Sequence, residues 1–473
     1  MANPIALKLV LYIFAGAVQE PGAATGTHSM GTPSYGKGKH KRHVPRSIKH
    51  DRGEGARMVV LSVDGLRADL VRRPDDFKLK IPALRKLIKE GASAEGVESI
   101  FPSTTYPAHT TLVTGVPPRV HGIYSHLDSR DPSAKARPWH WFARAIKVPT
   151  LWDAARDAGL KTASIGWPVS AGAAIDYNIP EIWDPAAPDP YLSYAAAAEN
   201  STPGLFEEVK NSLHGLTPDV MHDRLRTEAA LYLWEHYHPD LLLIHLVVYD
   251  EMAHHLGPFS PQTIAALEQT DIEIARVRKV VGGRVTLVVL SDHGFVSVEK
   301  EVAPQIALEA EGLFGRNAAG ALQLKRLGAI HAGGSFAIYW LKAPTLQDRA
   351  ALARAVRRIC ETGAVAEVVD RKKLRALGAD PDAELILDAA QGYYFSDRNE
   401  GPLVRDSVDD RGAHGHLPSQ TGLDACFIAV GPGIKNGKTL GRISITQVAP
   451  TLARILGLPV GALISESEPL DLA

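Results

Sequence analysis

The chain has little cysteine, no long apolar run in its body and no excess of charge of either sign, and each shortage removes a class of protein. Only Cys360 and Cys426 occur in 473 residues, too few and too far apart for a disulfide framework or a thiolate zinc site. Any metal must therefore rest on His and carboxylate side chains. No segment after the N-terminus stays apolar for the ~18 residues that a membrane-spanning helix needs, so the mature chain is expected to have no transmembrane segment. Lys and Arg number 52 against 53 Asp and Glu, a formal net charge of -1. Basic residues cluster from Lys37 to Arg57 beside Gly and Pro, which reads as a solvated linker rather than a nucleic-acid arm. No nucleic-acid partner is expected.

What is present begins with a short apolar run, Ile5 to Phe14, followed by the small residues Ala15-Gly16-Ala17. This pattern predicts a signal peptide over 1–17 and an extracytoplasmic protein, periplasmic or secreted. Because Lys8 interrupts the run, a non-cleaved anchor is the alternative. Residues 18–56 lack apolar periodicity and read as a flexible basic leader. From Met58 short apolar runs alternate with amphipathic helical stretches, as in an α/β fold with a doubly wound parallel sheet. The strands are expected at Met58–Val63, Thr162–Trp167, Leu241–Val248, Val285–Leu290 and Ala425–Val430, and the helices at Pro82–Glu90, Val148–Ala158, Asp223–His236 and Pro261–Val280. The core is assigned to 57–300 and 397–465. A smaller α+β cap is expected to be inserted over 301–396.

Three of the expected strands run into an aspartate: Asp64, Asp250 and Asp292. Ligands of open α/β sheets bind beyond the carboxyl ends of the strands, so these carboxylates should converge. One such Asp is usually a turn former or helix cap. Three together, with His254 four residues after Asp250 and His293 adjacent to Asp292, point to a metal site. His414, in the loop Gly412-Ala413-His414-Gly415, could join it. Oxygen and imidazole donors suit zinc. His245, His331 and His416 are read as ordinary core or surface residues.

The segment Phe101-Pro102-Ser103-Thr104-Thr105-Tyr106-Pro107-Ala108-His109 leads into a helix. Taken alone, Thr105 there is as well explained by N-capping as by chemistry. Together with Val63-Asp64-Gly65, Val113-Thr114-Gly115, His121-Gly122-Ile123, Asp250-Glu251-Met252-Ala253-His254, Ser291-Asp292-His293-Gly294 and Gly412-Ala413-His414-Gly415, it resembles the nucleotide pyrophosphatase/phosphodiesterase family of the alkaline phosphatase superfamily. The resemblance spans about Met58 to Gly433.

It implies an alkaline-phosphatase-like core and two divalent metal ions, most commonly zinc. Asp64, Asp292, His293 and Thr105 would hold one ion and Asp250, His254 and His414 the other. Thr105 would be the catalytic nucleophile, forming a phosphothreonine intermediate during hydrolysis of phosphodiester or pyrophosphate bonds. The substrate would be a small phosphoester of nucleotide or lipid head-group type. His126 stands where the family often has Asn and could donate to a phosphate oxygen. Trp167 could line the pocket for a flat group or could be core packing. The rival readings are a phosphomonoesterase or phosphonate hydrolase on the same core, and a zinc-binding, non-catalytic secreted protein.

Overall fold

In a computed structural model the chain is described over residues 57–131, 138–182, 194–213, 223–318, 320 and 322–473. The expected signal peptide and basic leader lie outside these residues. Among the described residues no helix is long and apolar enough to cross a membrane.

The central sheet has eight strands. In chain order they are β1 (Met58–Val63), β2 (Ala92–Glu98), β3 (Thr162–Ile165), β4 (Tyr177–Ile179), β5 (Leu241–Leu246), β6 (Thr286–Leu290) and the strands Phe427–Val430 and Lys438–Ser444. Across the sheet the order runs Lys438–Ser444, β2, Phe427–Val430, β6, β1, β5, β3, β4. β1, the central strand, is fully buried and pairs in parallel with β5 and β6. Burial on both faces explains the unbroken apolar runs of these strands.

Alternate residues feed two cores. Met58, Val60, Leu241, Leu243, Val288 and Leu290 face the helices that carry Ala108, Trp152 and Leu452. Val59, Leu61, Ile244, Leu287 and Val289 face those that carry Leu84, Leu233 and Leu267. The sheet is therefore wound on both sides, but it is mixed rather than wholly parallel. Phe427–Val430 runs antiparallel to both β2 and β6. The chain re-enters the sheet at the end where β6 leaves it, with Cys426 N–H donating to Ser291 Oγ, so it must run back along its neighbours.

Between β6 and Phe427–Val430 lies a third apolar cluster. A four-stranded antiparallel sheet, ordered Leu327–Ala332, Ser335–Trp340, Leu385–Ala389, Val365–Asp370, packs against the helix Leu346–Cys360. The strand Val296–Val302 pairs with Gly392–Phe395 and Val404–Asp406 and not with the eight-stranded sheet. Among the described residues between β6 and Phe427–Val430, no strand joins the eight-stranded sheet.

Candidate metal centre

The three aspartates meet at one end of the central sheet. Asp64 follows β1 and Asp292 lies two residues beyond β6, both nearly or fully buried. Asp250 does not end a strand. β5 stops at Leu246, and Asp250 occupies the first turn of the helix Val248–Leu256, with His254 one turn later on the same face. An acidic residue suits that helix start electrostatically. His414 comes in from the loop after the inserted block and packs its ring on His293, with centroids 3.8 Å apart.

Thr105 is the first residue of the helix Thr105–Thr114, and the capping position belongs to Thr104, which makes no side-chain cap bond. Its Oγ1 lies 3.4 Å from His293 Nε2. His293 Nε2 is also 3.1 Å from Asp292 Oδ2 and 3.4 Å from Asp64 Oδ1. Asp250 is 3.5 Å from His254 Nε2 and 3.9 Å from His414 Nε2. Two ligand-like groups result, Asp64 with Asp250 and His293, and Asp250 with His254 and His414, each with donor atoms within 4.8 Å of one another.

The donor chemistry fits divalent cations. Asp64 Oδ1, Asp250 Oδ1 and Asp292 Oδ2 are buried oxygens without a hydrogen-bond partner, an expensive arrangement unless a cation answers it. The imidazoles are held ready by their other nitrogen: His414 Nδ1 lies 3.0 Å from the Ser103 carbonyl and His293 Nδ1 3.0 Å from that of Gly294. A proton at each Nδ1 leaves the Nε2 lone pairs facing the carboxylates. Burial, with the neighbouring His293 and His254, holds His414 well below the ordinary imidazole range, and burial also lowers His254. Burial, reinforced by Asp64 and Asp292, pushes Asp250 far above the usual carboxylate range. Asp292 is the opposite case: burial works against its ionisation, but His293 and His109 outweigh it and hold the carboxyl low.

The glycines of these motifs are steric necessities. Gly65 has φ +68°, and a Cβ there would stand 2.9 Å from Asp250 Oδ1. Gly415 has φ +92°, and its Cβ would fall 1.8 Å from the Ala332 carbonyl oxygen.

A cavity of about 260 Å³ opens onto Asp64, Thr105, Asp250, His254 and His414, with Tyr106, His126 and Trp139 on its wall. Asp292 and His293 are fully buried. His126 is thus at the cavity, its ring 4.6 Å from that of Trp139. Trp167 is not. It is buried in the core and meets the edge of His109, because Gly166 turns the chain away after β3, which ends at Ile165. Trp139 holds the aromatic position on the wall instead.

Several residues here were not singled out by sequence reasoning. His109 accepts or donates at Ser62 Oγ (2.9 Å) and lies 3.4 Å from Asp292, with its Nδ1 2.9 Å from the Thr105 carbonyl. Its four-residue spacing from Thr105 on one helix was the available signal. His245, read as an ordinary core residue, contacts Asp64 at 3.0 Å. His331 lines the cavity, whereas His416 is buried near the Tyr393 carbonyl.

A mixed α/β core that gathers a hydroxyl, carboxylates and imidazoles at the carboxyl ends of its strands is the alkaline-phosphatase-like architecture. The family model for type I phosphodiesterase / nucleotide pyrophosphatase matches residues 58–417, and the chain belongs to that family. Venom phosphodiesterase 2 of Crotalus adamanteus is 25% identical over 260 residues, 52% of this chain and 27% of that protein. Ectonucleotide pyrophosphatase/phosphodiesterase family member 3 of Mus musculus is 27% identical over 251 residues, 50% of this chain and 24% of that protein. The matched stretch spans about a quarter of the length of these relatives. The structure of murine ectonucleotide pyrophosphatase/phosphodiesterase 5, an inactive variant in complex with AMP, aligns at TM-score 0.61 and 18% identity, covering 85% of this chain and 96% of that one. The human protein aligns at 0.60 and 17%, covering 85% and 95%. These likenesses are of fold.

Proposed function

We propose that the chain is a metal-dependent phosphodiesterase or nucleotide pyrophosphatase that cleaves small phosphoesters through a phosphothreonine intermediate on Thr105. One observation carries this reading: the Thr105 hydroxyl faces a cavity lined by Asp64 and Asp250, whose Oδ1 atoms are buried and unpartnered. Asp64, Asp292 and His293, with Thr105, would hold one divalent cation, and Asp250, His254 and His414 a second. Their nitrogen and oxygen donors suit zinc. Bound there, such ions supply Lewis-acid polarisation of the phosphate and lower the pKa of a coordinated hydroxyl.

Thr105 Oγ1 gives up its proton and bonds to phosphorus as the bond to the leaving oxygen breaks, and the leaving oxygen takes a proton from water. Water then breaks the Thr105–phosphate ester and frees the side chain. Backbone N–H groups of the first helical turn orient the phosphate, and His126 donates to a phosphate oxygen from the cavity wall. Trp139 offers a flat face to an organic group such as a nucleobase. No Lys or Arg is among the described residues lining the cavity. A dianionic monoester end is best matched by such a clamp, so the diester is favoured. The apolar run Ile5 to Phe14 supports an extracytoplasmic location.

Turnover of bis-p-nitrophenyl phosphate and p-nitrophenyl phosphate by zinc-loaded and chelated protein tests this. The diester should be cleaved faster, with loss of activity on chelation and in Thr105→Ala. A strong monoester preference would replace the reading by a phosphomonoesterase. Unchanged turnover in Thr105→Ala would reduce Thr105 to a helix residue.

A further inference from the structure

Behind Asp64 lies a buried polar chain that packing does not require. His245 is in β5, beside Ser62 of β1 in the register of the parallel pair, and has no exposed surface. Its Nε2 is 3.0 Å from Asp64 Oδ2. Its Nδ1 is 2.9 Å from Glu181 Oε2 and 3.1 Å from the Gly166 carbonyl. Glu181 in turn accepts from Arg226 Nη1 at 3.1 Å and from the Tyr106 hydroxyl at 3.3 Å. Arg226 also donates to the His245 carbonyl at 2.9 Å.

Burying an imidazole, a carboxylate and a guanidinium costs several kcal/mol that an apolar trio would not. The other positions of β5 on the same face, Leu241 and Leu243, show what simple packing uses there. The geometry at Asp64 says what the chain achieves. One oxygen, Oδ2, is taken by His245, while Oδ1 has no partner and points to the His293 side of the cavity. His245 Nδ1 faces the Glu181 carboxylate and the Gly166 carbonyl, with Arg226 Nη1 3.5 Å away, while Nε2 faces Asp64 Oδ2. Tyr106, the residue after Thr105, is tied to the same Glu181.

We propose that Glu181 and His245 form a positioning relay for the cation site of Asp64 and Thr105, fixing Asp64 so that only Oδ1 is offered to the ion. The inference rests on the metal-dependent reading above and adds to it two residues outside the ligand set. His245 is a positioning residue and touches neither ion nor substrate. Outer partners of metal ligands set ligand orientation and basicity, and their loss typically weakens metal binding roughly 10- to 100-fold.

The test is zinc affinity, measured by titrating chelator-stripped full-length protein against a chromophoric competitor, with folding checked by circular dichroism and thermal melts. Wild type should bind two equivalents. His245→Phe should weaken one of them roughly 10- to 100-fold and leave the other unchanged. His245→Gln, whose amide can donate to Asp64 Oδ2, should recover part of the loss. Glu181→Gln should fall between, and it carries the test if His245→Phe fails to fold. Folded variants that bind both equivalents like wild type, or that lose both equally, would overturn the relay. A wild-type protein that binds no zinc would overturn the metal reading itself.

Discussion

Removing divalent cations should destabilise the folded chain at neutral pH, and the size of the effect follows from the carboxylates. Asp64 and Asp250 place oxygens within 4.8 Å of each other, a separation at which two charges repel by about 3.5 kcal/mol at an effective dielectric of about 20. Burial and this repulsion raise Asp250 well above the usual range. The stripped native state therefore holds a proton that the unfolded chain releases near the ordinary Asp value of about 3.9. Stability of the stripped protein should fall as pH rises above that value, because the native state then binds more protons than the unfolded one. Zinc competes with that proton, so its stabilisation grows with pH. At a free concentration of about a hundred times Kd it contributes about 2.7 kcal/mol, roughly 3 °C in Tm at about 1 °C per kcal/mol for a chain of this size. Calorimetric melts with zinc and with chelator should thus separate by about this amount at pH 7 and by less at pH 5. Identical melts at pH 7 would refute the reasoning.

Gly65→Ala forces a side chain into a left-handed conformation and brings its Cβ to 2.9 Å from Asp250 Oδ1; urea melts should show a loss of about 1–2 kcal/mol, with weaker zinc binding in the same titration. Asp388, buried under the 417–420 loop and hydrogen-bonded to Leu417 N–H and Gln420, has its carboxyl pushed by burial to about 6. Its folded value lies above the unfolded one of about 3.9, so it imposes a penalty of about 3 kcal/mol that is absent below the lower value and complete above the upper. Urea melts of Asp388→Asn should lose this slope across pH 4 to 6. Trp139→Ala removes a flat wall of the cavity and should raise KM for a nucleotide diester roughly fivefold, the lower end of a base-stacking contribution, while kcat changes little. An unchanged KM would place the organic group elsewhere.

Much of this was legible because the central strands are buried on both faces and therefore read as apolar runs. β1 and the helices Pro82–Glu90 and Asp223–Tyr237 fall at or within a residue of the expected ends. β2 was missed because Glu95 and Gly96 interrupt its apolar pattern, and Lys438–Ser444 because it is an edge strand with exposed Gly441 and Arg442. The antiparallel strand Phe427–Val430 was visible as a strand but not in direction, which depends on where a long insertion returns. At the candidate site, the residues singled out from sequence carry their own local signal: aspartates after apolar runs, His254 at helical spacing, glycines beside His414. His245, Glu181 and Trp139 carry no such signal. A histidine inside a buried strand looks like packing until the adjacent strand supplies Asp64, and Glu181 meets His245 across 64 residues of sequence. In the sequence Trp167 is open between cavity and core for the same reason, since a residue two beyond a strand end can turn either way, and here it turns into the core.

The nucleophile is the centre of the proposed chemistry, and trapping it is the most direct measurement. Zinc-loaded protein mixed with excess bis-p-nitrophenyl phosphate, quenched in acid during turnover and digested, should yield the peptide containing Thr105 with a p-nitrophenyl phosphoryl adduct, the second aryl ester being retained on phosphorus. The adduct should be missing from Thr105→Ala and from chelated protein. Rapid turnover with no adduct on that peptide, together with an active Thr105→Ala variant, would contradict a phosphothreonine intermediate.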